Sequence, residues 1–346
     1  MKFFLQNSKI YLPARRIYCA LLLAALLGVN AAAQTGDGDE VISVDTALVR
    51  LNVGVNDRNG KPVTDLTRDD FVVFEDGTPQ TLLSFEPTAA PFSLVMLLDT
   101  SGSTLGFRQQ LKFAARRFLD ALAPGDRVAV VSFNNKTDLL TNFTTDRRKN
   151  TRAIEAANGR NATRLFAALE YATGLLGKEG MRRKAIVVLT DGVDSELRGE
   201  DRRAIGDAET EASIFTSIKA QKSDSLRRVL DEAARQGITV YPLILPSGDP
   251  ARIAAPTPIQ IAMHRAARER VEILATQTGG RLHLIDRLED MGRLYAEVAA
   301  DLRTLYSLSY QPEAVKTRRA DGWREIRIEA KRSDLIVRTR PGYFGK

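Results

Sequence analysis

The chain has 346 residues, enough for about two domains of roughly 150 residues each and a sizeable core. Hydrophobic residues make up 44% and charged residues 27%, ordinary usage that excludes wholesale disorder. The formal charge of +7 would suit a polyanion-binding protein. However, four of the positive charges (Lys2, Lys9, Arg15 and Arg16) lie in the first 33 residues, which hold no acid. The remainder carries only +3, which excludes a nucleic-acid footprint.

Residues 1–33 read as a secretory signal. The four basic residues precede the 13-residue apolar run "IYCALLLAALLGV", and "AAA" before Gln34 supplies small residues for cleavage near Ala33–Gln34. The run is short for a bilayer span of about 20 residues, so cleavage is expected and the mature chain would have no membrane span. The expected location is secreted, periplasmic or in the cell envelope. Cys19, the one cysteine, lies inside this leader. A mature chain without it has no disulfide, no Cys-ligated zinc and no thiol nucleophile.

A polar linker covers 34–40, and a β-rich segment follows over 41–90. "VDTALVRLNVGVND" alternates apolar and polar residues as a half-buried strand does, and Asn59-Gly60 marks a turn. "DFVVFEDG" and "QTLLSFEP" read as two further strands joined by Asp76-Gly77. From residue 91 the texture changes. Continuous apolar runs ("FSLVMLLD", "DRVAVVSFN", "KAIVVLTDG", "ITVYPLIL") alternate with amphipathic stretches such as "FRQQLKFAARRFLDAL" and "SLRRVLDEAARQG". Apolar strands separated by helices predict a doubly wound, mostly parallel α/β sheet over 91–302. Within it, the charge-dense 195–224 reads as a solvated insertion, helical in part. Residues 303–346 return to alternation ("LYSLSYQP", "WREIRIEAK", "LIVRTRPGYFG"). The two β-rich ends are therefore expected to build one small β-sandwich, with Trp323 and Tyr343 as core plugs.

Ligands of open α/β sheets bind at the carboxyl ends of the strands. Two strands here end in acids: "VMLLD" at Asp99 and "IVVLTD" at Asp191. Asp99-Thr100-Ser101-Gly102-Ser103 has the form D-x-S-x-S, and "GRNATRLFAAL" places Thr163 just ahead of a helix. The set Asp99, Ser101, Ser103, Thr163 and Asp191 offers oxygen alone, which suits Mg²⁺, Mn²⁺ or Ca²⁺ over zinc or copper. Hydroxyls neutralise none of the ion's charge, so an ion held this way would seek one more anionic oxygen, such as an Asp or Glu of a partner protein.

These residues resemble the von Willebrand factor A-type domain with its metal-ion-dependent adhesion site, over roughly residues 91–302. The resemblance implies a Rossmann-like fold. It also implies that Ser101, Ser103 and Thr163 touch the metal, with Asp99 and Asp191 acting directly or through water. The family usually has glycine immediately before the threonine, whereas this chain has Ala162, with Gly159 further back. The "DF.V.EDG" and "R.RPGY" patterns of the flanking segments are also similar to exported bacterial proteins of this type. A cation-dependent protein-binding or adhesion module is thus expected. An envelope structural module in which the metal only stabilises the fold is the competing expectation.

Other readings carry less. The hydroxyls after Asp99 suit a helix cap as well as a metal. A phosphotransfer aspartate would want a second Asp where Ser101 stands. A serine hydrolase needs a base, yet His264 and His283 have no evident partner in sequence and read as structural. No phosphate-loop or dinucleotide motif occurs, and no enzyme is expected. Asp194 and Glu196 read as solvated loop residues more readily than as added ligands. The expected rim of the site is 100–108, 134–148 and 192–225.

Overall fold

The computed structural model describes residues 48–247, 249–252, 254–312 and 322–345. The leader, Cys19, the cleavage point and the linker lie outside the described residues.

The central sheet has six strands: β5 (Phe92–Asp99), β6 (Arg127–Phe133), β7 (Thr137–Thr144), β8 (Arg183–Thr190), β9 (Ile238–Ile244) and β10 (His283–Leu284). They lie in the order β10-β9-β8-β5-β6-β7, all parallel except the antiparallel edge strand β7. β7 occupies much of what the sequence offers as the 134–148 loop. All eight residues of β5 are buried, because both faces of the sheet are covered. Leu94, Met96 and Leu98 face α1 (Arg108–Ala121) and α8 (Met291–Thr304), through Leu111, Phe118, Tyr295 and Val298. Val95 and Leu97 face the opposite way, toward α3 (Leu165–Gly177), α6 (Asp224–Gln236) and α7 (Pro258–Gln277), through Leu169, Val229 and Leu274. A shorter helix, α2 (Arg147–Ala156), follows β7. The architecture is a doubly wound α/β domain.

Among the described residues two four-stranded antiparallel sheets accompany this domain. One has the order β13-β1-β11-β4, from β1 (Val49–Asn56), β4 (Leu82–Glu86), β11 (Leu305–Tyr310) and β13 (Ile336–Arg338). The other has the order β14-β12-β2-β3, from β2 (Phe71–Glu75), β3 (Thr78–Gln80), β12 (Trp323–Ala330) and β14 (Gly342–Phe344). Each sheet pairs strands from both ends of the chain: β1 with β11, and β2 with β12. Their shared core includes Val49, Leu51, Val53, Val73, Tyr306, Leu308, Ile326 and Ile328. The run "QTLLSFEP", expected as one strand, contributes to both sheets. Gln80 pairs within the second sheet and Leu82 within the first, so the chain crosses between layers at Thr81. Asp76 and Gly77 turn β2 into β3 with φ of 48° and 78°, the left-handed pair of a tight hairpin. Trp323 is half-buried, edge-on to Phe344 at 5.0 Å, and the Tyr343 hydroxyl donates to Glu75 at 3.0 Å.

The 195–224 insertion is more ordered than its charge suggests. It forms α4 (Ser195–Ile205) and α5 (Glu211–Ser217), and Ile205 and Ile214 make a small core with Ala262 of α7. Below that core Arg270 grips Asp201 with both terminal nitrogens, at 2.8 and 2.5 Å. Few apolar residues suffice because α7 supplies the other half of the contact.

The α/β domain and the sandwich share backbone. α8 ends at Thr304 and β11 begins at Leu305, with no linker. Asp301 in the last turn of α8 accepts from both the Tyr241 hydroxyl of β9 (2.6 Å) and the Arg338 guanidinium of β13 (2.7 and 2.6 Å). Among the described residues no helix is long and apolar enough to cross a membrane. Asp301→Ala leaves a mostly buried guanidinium and a fully buried phenol without their acceptor. The expected loss is about 3 kcal/mol, read as a lowered urea midpoint with the transition still single.

Candidate functional site

β5 runs with β6 on one side and β8 on the other, so the carboxyl end of β5 lies where the order of the sheet reverses. Leu98 is opposite Leu189, which sets Asp99 beside Thr190 at the two strand ends. The Thr190 hydroxyl donates to Asp99 Oδ2 at 2.7 Å and the Ser101 amide donates to Oδ1 at 2.9 Å. Asp99 is fully buried. Its pKa is pushed up to about 6, first by burial and then by the negative charge of Asp191 nearby, against the pull of the Ser101 and Thr190 hydrogen bonds.

After Asp99 the chain turns through the 3-10 segment Gly102–Phe107. The Thr104 hydroxyl closes the turn by donating to the Asp99 carbonyl at 2.9 Å. Ser101 stands at the capping position of that segment, but its side chain makes no capping hydrogen bond. Its hydroxyl, on a buried residue, instead lies 3.0 Å from that of Ser103, which is exposed. The helix-cap reading of these serines therefore fails, and both hydroxyls are left facing one another at the strand end.

The loop carrying Thr163 is pressed against the first. The Gly102 amide donates to the Asn161 carbonyl at 3.0 Å, with Asn161 itself at φ 79°. Thr163 is buried and tied to Ser195 in both directions: its amide donates to the Ser195 hydroxyl (3.0 Å) and its carbonyl accepts from the Ser195 amide (2.8 Å). Ala162 is exposed. The close approach occurs at Gly159 instead, where a Cβ would lie 2.9 Å from the Thr100 carbonyl oxygen and 2.7 Å from its hydroxyl. The glycine that this packing requires thus stands four residues before the threonine.

Asp191 follows β8 directly and is also buried. Its Oδ1 accepts from the Val193 amide at 3.1 Å, and the Ser247 hydroxyl is 3.4 Å from its Oδ2. Among the described residues neither Asp99 nor Asp191 takes part in an ion pair. No three His, Cys, Asp or Glu side chains group as a metal cluster among the described residues. Any ion here would therefore depend on the hydroxyls joining the two carboxylates.

Several residues that hold the site were not singled out by sequence reasoning. Arg108 donates to the carbonyls of Thr100 (2.8 Å) and Ser101 (3.1 Å) with one nitrogen, and to Asn158 Oδ1 and the Gly159 carbonyl (both 2.8 Å) with another, so it clamps the two loops together. It lies three residues before Leu111 on the apolar stripe of α1, a position where a charge signals burial. Thr190, read as part of a strand, orients Asp99. Asp194, expected as a solvated loop residue, is not solvated. It is a buried cap, accepting from the amides of Phe166 (3.1 Å), Glu196 (2.9 Å) and Leu197 (3.2 Å), and burial raises its pKa. His264 lines a cavity with Ser103, Thr163 and Asp191. His283 lies 3.9 Å from Glu297, remote from these residues in sequence.

Residues 94–193 match the family model of the von Willebrand factor type A domain. This α/β domain is of the von Willebrand factor A type. A curated relative is the human voltage-dependent calcium channel subunit alpha-2/delta-2, 32% identical over 126 residues that cover 33% of this chain. The match covers about a tenth of that relative's length, 10%. Similar solved structures include the von Willebrand factor domain of the type V pili tip protein Mfa5 from Porphyromonas gingivalis. It is 14% identical with a TM-score of 0.45, covering 61% of this chain and 95% of that one. Another is a von Willebrand factor type A protein from Catenulispora acidiphila, 12% identical with a TM-score of 0.43, covering 88% and 75%.

In this A-type domain Gly159→Ala should force the Thr163 loop away from Thr100. The expected cost is about 1–3 kcal/mol, read as a lower melting temperature, whereas Ala162→Gly at the exposed neighbouring position should leave melting nearly unchanged.

Proposed function

We propose that the chain is an exported protein-binding module that captures an acidic side chain of a partner through a divalent cation, Mg²⁺ in the first instance. Asp99, Ser101, Ser103, Thr163 and Asp191 would hold the ion, with Mn²⁺ or Ca²⁺ as substitutes. One observation carries the reading. Two buried carboxylates end adjacent parallel strands, with the Ser101 and Ser103 hydroxyls beside them, and among the described residues neither carboxylate is in an ion pair. Isolated buried carboxylates are costly unless protonated or neutralised by a cation. A bound cation neutralises both, and hydroxyl ligands leave it electrophilic toward a further carboxylate.

The same arrangement supports binding over catalysis. The Ser101 hydroxyl lies against the Ser103 hydroxyl, and no histidine hydrogen-bonds to it among the described residues. The segment before residue 34 supports export, since it has the tripartite pattern of a secretory leader. A second reading, an envelope structural module stabilised by the metal, draws on the Asp99–Asp191 repulsion that any cation would relieve.

Calorimetry tests the site. Mg²⁺ or Mn²⁺ should bind at no more than millimolar concentration, and Ser101→Ala should weaken binding by on the order of tenfold or more. Asp99→Asn should abolish metal binding while the metal-free variant melts no lower than the parent, because the buried charge is gone. Absence of metal binding, or binding indifferent to Ser101→Ala, would sink the assignment. A melting temperature raised by Mg²⁺ without retention on a matrix bearing glutamyl peptides would favour the structural reading.

A further inference from the structure

The metal reading leaves a groove beside the cup without a use. Between α4 and α7 opens a cavity of about 360 Å³, whose wall includes Ser103, Thr163 and Asp191. Its apolar lining comes from Phe166, Leu197, Met263 and Ala267. A more open cleft shares Ser195, Arg198, Gln260 and Met263 with the cavity and extends it over Arg202 toward Thr257, at the start of α7. One continuous groove thus leads away from the cup.

Two further observations point to an occupant. Arg270, only 4% exposed, spends both terminal nitrogens on Asp201, yet its buried Nε has no hydrogen-bond partner. His264 Nε2 is buried and equally unpartnered, and both residues line the cavity. Buried polar atoms are nearly always satisfied, so two unpartnered ones on residues that line a single cavity suit a ligand's polar atoms. Arg198, where cavity and cleft meet, and Arg202 further along are exposed and form no ion pair among the described residues.

We propose that the groove takes the peptide segment flanking the metal-bound carboxylate. A large apolar side chain next to the partner's Asp or Glu enters the cavity, and the adjoining peptide carbonyl accepts from Arg270. Acidic residues further along reach Arg198 and Arg202. This specificity rests on the metal-bridged reading of the cup. At roughly 30 Å³ per water, the cavity has room for on the order of ten waters. Loosely held waters against apolar walls are displaced with gain by an apolar group. The arginines fix direction along the groove, because a carboxylate at the metal and a second at Arg202 define the two ends of the bound segment.

Random hexapeptides with one fixed glutamate, passed over the immobilised chain in Mg²⁺ and released with EDTA, test this. The released pool should be enriched several-fold in Leu, Met or Phe adjoining the glutamate, and in Asp or Glu beyond them. Ala267→Phe, which fills the cavity, should lose the apolar preference and weaken the best peptide by about tenfold, with Mg²⁺ calorimetry unchanged. The exposed double variant Arg198→Glu/Arg202→Glu should lose the acidic preference alone, and it decides that arm even where Ala267→Phe does not fold. Metal-dependent peptide binding with no residue preference around the glutamate overturns the groove and leaves the cup standing. Mg²⁺ binding without any peptide retention overturns it as well. A chain that binds no Mg²⁺ by calorimetry fails at the cup itself.

Discussion

Two carboxylates buried side by side are a standing electrostatic cost, and the upper end of the central sheet is arranged around it. Parallel pairing in register puts Asp99 beside Thr190, and Asp191 is the next residue along. Among the described residues no lysine or arginine forms an ion pair with either side chain. The fold supplies neutral donors instead: the Ser101 amide and the Thr190 hydroxyl for Asp99, and the Val193 amide for Asp191. Such donors hold a carboxylate in place without neutralising it, which is the condition under which a cation is attracted. An arginine does serve the site, but from behind. Arg108 binds backbone carbonyls of the two loops and the Asn158 side chain, and makes no hydrogen bond to either carboxylate.

That arrangement is demanding, because three loops at the strand ends must be held in one fixed relation. Each is tied by short backbone contacts to the next: Gly102 to Asn161, Thr163 to Ser195, and Arg164 to Asn134. Gly159 permits the closest of these approaches. The loops stand on strands whose residues are buried on both faces, so the scaffold beneath them has little freedom. At the other end of the domain α8 passes directly into β11, and Asp301 ties helix, sheet and sandwich together. The sandwich thus clamps the first and last strands of the described chain onto the α/β domain, and its core needs strands from both ends of the sequence to close.

The charged insertion contributes differently. Its helix α4 buries Leu197, Asp201 and Ile205 and exposes Arg198 and Arg202. It caps itself on Asp194, whose side chain also holds the start of α3. One residue therefore fixes the relation between the Thr163 loop and the wall of the adjoining groove. The region that looks most polar in sequence is, in space, the flank of the site.

By itself the sequence determined the periodicities and the strand ends. Continuous apolar runs declared a covered parallel sheet, alternation at both ends declared a sandwich, and the acids and hydroxyls at strand ends marked the candidate site. These are local properties, because burial on both faces demands apolar runs and a site at strand ends demands polar residues there. Only the tertiary structure decided the remainder. Nothing in "QTLLSFEP" says that one strand serves two sheets, since the crossing at Thr81 depends on where β11 and β2 lie. The sequence left open whether the serines after Asp99 cap a helix; the absence of a capping bond from Ser101 depends on the turn that Thr104 closes. Arg108, Thr190 and Asp194 act on residues 8 to 91 positions away. The groove likewise joins residues of α3, α4 and α7 that no periodicity links. Contacts of that range are set by strand order and register, and these are properties of the packed chain.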